Sequence, residues 1–317
     1  MAVMQPLLLV SYGAPERQED VVPFLNNLFA GKNVPAERLA MAAQKYAQYA
    51  FKTGHYSPLN SECRKLIAGI QREWSRCHHE PLPIYWGNLF WHPLLTDTVA
   101  DMARSGVARA VCFATSAFDS PAGNQRYADA ILAARQAVGE NATVLEKLPL
   151  PFDHPLFLEA QTDRLLEMLA WHHFEEPANG TVILFSAHSI PLVDAERSRY
   201  IEQLQSTCQK VIEKSGTPFP WELVYQSRSG PAEHWLGPEI KERIRELAGQ
   251  CSSVIVSPIG FFCENMETEY DLDVEVGECC AELGLSFFRT TAVGAMPKTC
   301  RMIVELVRQL TLVAARS

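Results

Sequence analysis

One histidine stands where a side chain could hold a metal ion or move a proton. His188 closes the apolar run Thr181–His188, which is typical of a buried strand. A neutral imidazole in that position can bind a metal or accept a proton near neutral pH. A lone histidine is more often a hydrogen-bonded core group. Ser186 and Ser189 would allow a serine–histidine hydrolase instead, but the chain lacks the nucleophile elbow GxSxG.

A row of carboxylates follows a later apolar run, residues 253–258. Its six members are separated by three or four residues, which predicts that they share one stripe of a helix. They are Glu264, Glu267, Asp271, Glu275, Glu278 and Glu282. Stacked like charges repel one another by roughly a few tenths of a kcal/mol per pair, so the row costs stability. A path for a divalent cation would explain the row, and a solvated acidic face is the alternative.

Three turn segments supply aromatic side chains that could surround a large flat ligand. Tyr12 lies in residues 11–15, where the chain leaves its first apolar run, so its phenol could face a cleft. Residues 85–93 and 225–238 are rich in aromatic residues and turn formers. Walls of this kind would suit a large apolar ligand, whereas packing of the loops onto the core is the alternative.

Short apolar runs that alternate with helical patterns must position these residues. The runs that indicate buried parallel strands are 7–12, 83–88, 108–115, 142–148, 181–188, 222–227, 253–258 and 285–291. The helical patterns are 19–30, 36–51, 59–75, 93–105, 155–172, 194–214, 238–248, 265–283 and 297–315. This alternation predicts an α/β fold with parallel sheets.

The two halves of the chain resemble each other. Residues 7–15 and 182–191 both form an apolar run that ends in serine and is followed by a turn and a proline. We therefore predict two similar doubly wound, Rossmann-like units with parallel four-stranded sheets and a cleft between them. The N-terminal α/β unit is expected at 1–150, and the C-terminal α/β unit, with the metal-handling residues, at 151–317. Such units bind ligands outside the carboxyl ends of their strands.

Composition excludes several classes of protein. The 317 residues are 47% hydrophobic and 21% charged, as in ordinary globular domains. The net charge of −9 argues against nucleic acid as a partner. No apolar run approaches the ~18 residues of a transmembrane segment, and no signal peptide is recognisable, so we expect a cytoplasmic protein. Nine scattered cysteines without CxxC favour reduced thiols, and the absence of GxGxxG, GxxxxGK[ST] and HExxH argues against dinucleotide, nucleotide and zinc-protease sites.

Five ordered motifs resemble those of the ferrochelatases, which insert ferrous iron into a porphyrin. They are Tyr12-Gly-Ala-Pro followed by Glu19-Asp, Tyr56-Ser-Pro-Leu, Phe185-Ser-Ala-His-Ser-Ile-Pro, Tyr225-Gln-Ser-Arg-Ser-Gly-Pro with Trp235-Leu-Gly-Pro, and Pro258-Ile-Gly-Phe leading to Met266-Glu-Thr-Glu-Tyr-Asp. The resemblance covers almost the whole chain. Tyr12, with residues 87–93 and 115–118, is similar to the bacterial branch that uses coproporphyrin III, so the product would be coproheme, an intermediate of heme biosynthesis.

The resemblance also implies roles for particular residues. His188 and Glu267 match the metal-handling pair of the family, and which of them is base and which is ligand stays open. Tyr12 would approach the porphyrin-bound iron, while Ser57 and Tyr127 would contact the macrocycle or its propionates. The candidate ion path consists of Glu264, Asp271 and Glu275.

Some positions depart from the family pattern. Glu264 and Asn265 replace a common Asp-His, and basic residues that often follow the first helix are missing, which leaves Lys32 and Lys45 as candidates for binding propionates. Asn124 stands where similar bacterial sequences have a cluster cysteine. We therefore expect no iron–sulfur cluster and no cofactor beyond the substrate Fe²⁺.

The expected partners are Fe²⁺ and a porphyrin, either coproporphyrin III or protoporphyrin IX. We expect a monomer or a weak oligomer. One alternative is a chelatase for another metal, such as cobalt with a corrinoid precursor. The other is a tetrapyrrole or iron carrier that binds porphyrin without catalysing metal insertion.

Overall fold

A computed structural model describes residues 5–172 and 180–314. Its strands are β1 (Leu7–Ser11), β2 (Ile84–Asn88), β3 (Arg109–Ala114), β4 (Val144–Lys147), β5 (Thr181–His188), β6 (Trp221–Gln226), β7 (Ser253–Ser257) and β8 (Ser286–Arg289). Its α-helices are α1 (Gln18–Leu28), α2 (Ala36–Thr53), α3 (Leu59–Ser75), α4 (Leu95–Arg104), α5 (Arg126–Val138), α6 (Pro155–Trp171), α7 (Leu192–Glu196), α8 (Tyr200–Ser215), α9 (Ile240–Leu247), α10 (Gly277–Glu282) and α11 (Pro297–Ala314). Residues Pro121–Gln125 and Glu267–Val276 are π-helical, and Ala232–His234 form a 3₁₀ turn.

The strands form two parallel four-stranded sheets, which confirms the predicted fold class. The strand order is β2-β1-β3-β4 in the first sheet and β6-β5-β7-β8 in the second. The chain forms two compact units around these sheets. The first consists of Met1–Thr115, Arg126–Pro149 and Ile303–Ser317, and the second of Ser116–Gln125 and Leu150–Met302. The cleft expected between two units stays a prediction.

In the first unit, helices cover the sheet because its strands carry apolar side chains on both faces. All five residues of β1 are buried. On one face, α4 and α5 pack against β1 and β3. The side chains of this cluster are Leu8, Val10, Leu95, Val99, Met102, Ala110, Cys112, Ala114, Tyr127, Ile131 and Ala134. Continuous apolar runs are what such a doubly covered parallel sheet requires.

The second unit repeats this construction. The first seven residues of β5 are buried. The π-helical segment, α9 and α10 pack against the sheet through a single cluster. Its members are Val182, Leu184, Val224, Ile240, Ile244, Leu247, Val254, Val256, Leu272, Val276, Cys279, Cys280 and Leu285. Packing of the π-helical segment onto the sheet therefore positions the acidic residues that the segment carries.

Besides the π-helical segment within the predicted helix 265–283, the helices depart from the sequence prediction in two places. Helix α5 was not predicted although its alanines favour a helix, because its apolar stripe is weak: the buried residues are only Tyr127, Ile131 and Ala134. The helix predicted over 194–214 is divided into α7 and α8. At this break the Ser198 hydroxyl donates to the Asp194 carbonyl oxygen at 2.9 Å, a local hydrogen bond of the kind that competes with helix continuation.

Candidate functional site

Each sheet has a point at which the chain connections turn to opposite sides. β1 pairs with both β2 and β3, and β5 pairs with both β6 and β7. Ligands of doubly wound folds bind outside the carboxyl ends of the strands at such points. Tyr12 directly follows β1, and His188 is the last residue of β5. Both residues therefore lie at the ligand-binding edge of their own sheet.

The backbone holds the His188 ring in one tautomer. Nδ1 lies 2.5 Å from the Ser189 carbonyl oxygen. Because a carbonyl can only accept a hydrogen bond, Nδ1 carries the hydrogen, and Nε2 is the nitrogen that gains or loses a proton. Nε2 lies 3.6 Å from Oε1 of Glu267. The Tyr200 hydroxyl donates to the His188 carbonyl oxygen at 3.1 Å and holds the end of the strand.

Opposing effects set the pKa of His188. Burial of the ring lowers the pKa, but the charge and close approach of Glu267, the Ser189 carbonyl and the charge of Asp271 together raise it to about 9. The side chains of His188 and Glu267 are 34% and 42% exposed, so solvent reaches the pair. At pH 7 the metal-free site therefore holds an imidazolium beside a carboxylate. A metal ion that binds Nε2 must displace this proton.

Two amide side chains hold the backbone at Glu267. The Gln226 side chain, at the end of β6, donates to the Glu267 carbonyl oxygen at 3.0 Å. Oδ1 of Asn265 accepts from the backbone N–H groups of Glu267 at 2.7 Å and Thr268 at 3.1 Å. Asn265 thus caps the beginning of the π-helical segment. The structure brings His188 and Glu267 together by fixing the main chain on both sides of the pair.

Two further residues of the candidate ion path lie on the π-helical segment. The Ser227 hydroxyl donates to Oδ2 of Asp271 at 2.5 Å. Ser227 has a φ of 60°, in the left-handed region that residues other than glycine seldom adopt. Glu275 forms an ion pair with Lys241 at 2.7 Å. Glu267, Asp271 and Glu275 are spaced by four residues, so they follow one side of the segment.

Glu264, the third residue of that path, is buried, and its carboxylate accepts hydrogen bonds from other groups of the protein. Arg289 donates to its Oε1 at 2.9 Å, the Thr268 hydroxyl to its Oε2 at 2.6 Å, and the Ala292 N–H to its Oε1 at 2.5 Å. The side chains of Glu264 and Arg289 are only 10% and 9% exposed. This buried pair links the end of β8 to the loop before the π-helical segment.

The single stripe of six carboxylates expected from the sequence is wrong. Glu264 lies before the segment, which begins at Glu267. Glu278 and Glu282 lie on α10 and are exposed. A π-helix has i→i+5 hydrogen bonds, so its residues turn by different angles from those of an α-helix. Winding of this kind occurs often at functional sites, and no sequence periodicity indicates it.

Tyr12 belongs to an aromatic cluster in the first unit. The ring centroids of Phe90 and Tyr127 lie 5.2 Å and 5.6 Å from that of Tyr12. The Tyr127 hydroxyl lies 3.2 Å from Oγ1 of Thr115, which directly follows β3. Tyr12 and Tyr127, two of the predicted substrate-binding residues, are therefore in contact at the carboxyl edge of the first sheet.

Ser57, the third predicted substrate-binding residue, lies in the turn before α3. Its hydroxyl accepts from the Leu59 N–H at 3.4 Å, and its side chain is buried. Asn60, in the first turn of α3, donates to the Ala14 carbonyl oxygen at 3.1 Å. This hydrogen bond holds the turn against the loop that follows Tyr12.

Arg126 was missed by the sequence analysis. Its Nη1 donates to the Tyr12 hydroxyl at 3.1 Å, and its guanidinium carbon lies 6.0 Å from the centroid of the Tyr12 ring. The sequence feature that could have indicated Arg126 is its position directly before Tyr127, a predicted substrate-binding residue. Without a prediction for α5, nothing in the sequence indicated that Arg126 would lie beside Tyr12.

Residues 5–172 and 180–314 contain neither a cluster of metal ligands nor a membrane-crossing helix. No three or more His, Cys, Asp or Glu side chains converge there in a way that could hold a metal ion. His188 and Glu267 lie together as a pair, with an imidazole nitrogen 3.6 Å from a carboxylate oxygen. None of the helices in these ranges has the length and hydropathy to cross a bilayer. All nine cysteines lie within these ranges and are reduced thiols, none in a disulfide.

Known proteins resemble this chain over nearly its whole length. The family model described as Ferrochelatase matches residues 5–311. A ferrochelatase of Rhodopirellula baltica is 40% identical over 305 residues, covering 95% of this chain and 85% of the relative. A coproporphyrin III ferrochelatase of Frankia alni is 42% identical over 317 residues, covering 96% of this chain and 79% of the relative.

One solved structure shares the fold at low sequence identity. The sirohydrochlorin chelatase SirB of Bacillus subtilis subspecies spizizenii, in complex with cobalt, aligns with a TM-score of 0.54 and 13% identity. The alignment covers 98% of this chain and 96% of SirB. This likeness concerns the fold alone, whereas the family match and the two relatives reach across nearly all of the sequence. The chain belongs to the ferrochelatase family.

Proposed function

We propose that this protein inserts Fe²⁺ into coproporphyrin III and releases coproheme, as a step of heme biosynthesis. The observation that carries the proposal is the position of His188, whose Nε2 lies 3.6 Å from Glu267 at the carboxyl edge of the second sheet. The relative from Frankia alni, named as a coproporphyrin III ferrochelatase, supports this choice of porphyrin.

The reaction requires that the iron loses water and that both pyrrole N–H protons leave. An imidazole nitrogen and a carboxylate oxygen together suit ferrous iron. The tautomer of His188 leaves Nε2 as the ring nitrogen for these steps, because Nδ1 donates to the Ser189 carbonyl oxygen. In its deprotonated form Nε2 can accept a pyrrole proton or hold the ion. Glu267 can neutralise the imidazolium that results, or bind the ion beside it.

We propose that Tyr12, Ser57 and Tyr127 contact the porphyrin. The aromatic cluster of Tyr12, Tyr127 and Phe90 offers ring faces and edges to a flat macrocycle. The phenol of Tyr12 would approach the iron once the ion is held by the porphyrin. The hydroxyl groups of Ser57 and Tyr127 would meet the macrocycle or its propionates.

We propose an ion path that consists of Asp271 and Glu275 and leads to Glu267. All three carboxylates lie on the π-helical segment, and a carboxylate oxygen suits a divalent ion that still holds water. Glu264 is omitted from the path because Arg289, Thr268 and the Ala292 N–H use its oxygens.

We propose a cytoplasmic location, which the nine reduced cysteines support because disulfides persist in oxidising compartments. We propose that no iron–sulfur cluster is bound. In support, Asn124 occupies the position at which similar bacterial sequences have a cluster cysteine. Its side-chain amide donates to Oδ1 of Asp119 at 2.9 Å. A monomer or weak oligomer is proposed without nucleic acid as a partner, in keeping with the net charge of −9.

The test is an anaerobic assay with Fe²⁺ and either coproporphyrin III or protoporphyrin IX, followed by absorbance. We expect faster metallation of coproporphyrin III. Preference for protoporphyrin IX would overturn the choice of substrate. Binding of either porphyrin without faster insertion would indicate a carrier, and insertion of cobalt but not iron would indicate a different chelatase.

A further inference from the structure

Arg126 has hydrogen-bonding capacity that its protein contacts leave unused. The guanidinium has five N–H donors. Its one hydrogen bond to a side chain is made to the neutral Tyr12 hydroxyl, at 3.1 Å. Within the part of the chain that the structure describes, no carboxylate forms an ion pair with Arg126. A half-buried arginine therefore offers its charge and most of its donors to something outside the protein.

Lys32 lies within electrostatic range of Arg126 in the first unit, and a third cation, Arg38, acts on Lys32 as well. Burial together with the positive charges of Arg126 and Arg38 lowers the pKa of Lys32. Neither Lys32 nor Arg38 has a carboxylate partner among the described residues. The chain has 37 acidic residues against 28 basic ones, so acidic partners are abundant elsewhere. Arg126 and Arg38 both repel Lys32, and an anionic ligand would reduce this repulsion.

We propose that Arg126 binds a propionate carboxylate of the tetrapyrrole, with Lys32 and Arg38 adding positive charge around it. This inference rests on the proposed function. A guanidinium matches a carboxylate with parallel N–H···O hydrogen bonds, which a lysine cannot form. The contact with Tyr12 orients the guanidinium beside the aromatic cluster, so that the macrocycle meets the rings while its propionate meets Arg126.

Porphyrin binding tests this inference without iron. Fluorescence titration would compare wild type with Arg126→Gln and Arg126→Lys, using coproporphyrin III and its tetramethyl ester in the same detergent. The matched control is Arg72→Gln, which removes an exposed arginine of α3. Charge-assisted hydrogen bonds in partly exposed sites predict that Arg126→Gln raises the Kd for the free acid about tenfold. Arg126→Lys should lose part of this affinity, and the control should change it less than about twofold.

The ester separates carboxylate binding from a structural role. We expect Arg126→Gln to leave the affinity for the ester unchanged, because the ester has no charge to lose. Equal losses for acid and ester, or no loss for the acid, would overturn the inference. The wild-type iron assay tests the proposed function separately, since insertion by wild type together with an unaffected Arg126→Gln variant would reject only the role of Arg126. A wild type that binds no porphyrin would reject both.

Discussion

At the scale of single residues, the Ser189 carbonyl decides which nitrogen of His188 can react. The sequence and the family resemblance indicated His188 and Glu267 but left their orientation open. The hydrogen bond at Nδ1 directs Nε2 toward Glu267, and the Gln226 amide holds the main chain of Glu267 at 3.0 Å. The pair is therefore held in place by the main chain in the metal-free protein.

Substitution of His188 should separate metal insertion from porphyrin binding. We expect His188→Ala to slow iron insertion by about 10²- to 10⁴-fold, the usual contribution of a general base, while porphyrin still binds. Anaerobic absorbance measures the first and fluorescence titration the second. His79→Ala, at an exposed position of the first unit, is the matched control and should retain full turnover. Normal turnover of His188→Ala would reject the assignment.

Titration of the metal-free protein tests the electrostatics of the pair. The raised pKa means that His188 stays protonated up to a pH of about 9. Because Glu267 is the main group that raises this pKa, Glu267→Gln should move the titration to lower pH. NMR of the histidine ring signals measures the shift, with His188→Ala identifying the resonance. Glu278→Gln removes an exposed carboxylate and should leave the titration in place.

The roles of the site residues differ in how well the amino-acid sequence alone could predict them. His188 and Glu267 occur in ordered motifs, so the resemblance could indicate them. Glu264 occurs in the same motif region, yet its role depends on Arg289, which is distant in sequence. Arg126 depends on contact with Tyr12 across more than a hundred residues. Roles that are set by such long-range contacts require the folded chain.

At the scale of elements, the strands were predictable, whereas the winding of one helical segment was not. All eight predicted runs contain strands in the described part of the chain, because sheets covered on both faces require continuous apolar residues. The segment Glu267–Val276 carries the same residues whether it is α- or π-helical, so composition could predict a helix but not its winding. That winding determines which carboxylates share a side.

The ion path predicts a change in the apparent affinity for iron. We expect Asp271→Ala combined with Glu275→Ala to raise the KM for Fe²⁺ severalfold with less effect on kcat, because these carboxylates would supply the ion rather than perform the insertion. Initial rates at varied Fe²⁺ measure both constants. Glu278→Ala combined with Glu282→Ala removes the same charge from α10 and is the control. Equal KM values for both double variants would indicate a solvated acidic face.

At the scale of the whole molecule, the cysteines report on the compartment and on packing. Seven of the nine are buried, Cys251 is partly exposed and Cys77 is exposed. Burial raises the pKa of the Cys112 and Cys280 thiols to about 12. Since the thiolate is the reactive form, such thiols are protected in the folded protein.

Thiol counting should therefore give different results before and after unfolding. We expect Ellman's reagent to modify Cys77 rapidly and Cys251 slowly in the native protein, and all nine cysteines in urea. Cys77→Ser should remove the rapid phase. Fewer than nine reactive thiols after unfolding, in protein kept under reducing conditions, would indicate that some cysteines are occupied by another group.

If His188 is the proposed base rather than the iron ligand, its hydrogen bond to Ser189 would also impose an order of events. The imidazole has one nitrogen with which to receive a proton, whereas porphyrin metallation releases one proton from each of two pyrroles. Nε2 must lose the first proton before it can accept the second. The neighbouring Glu267 side chain is 42% exposed, so it can pass the first proton to solvent. The two pyrrole protons would pass to Nε2 one after the other, and the first would be released to water before the second is transferred.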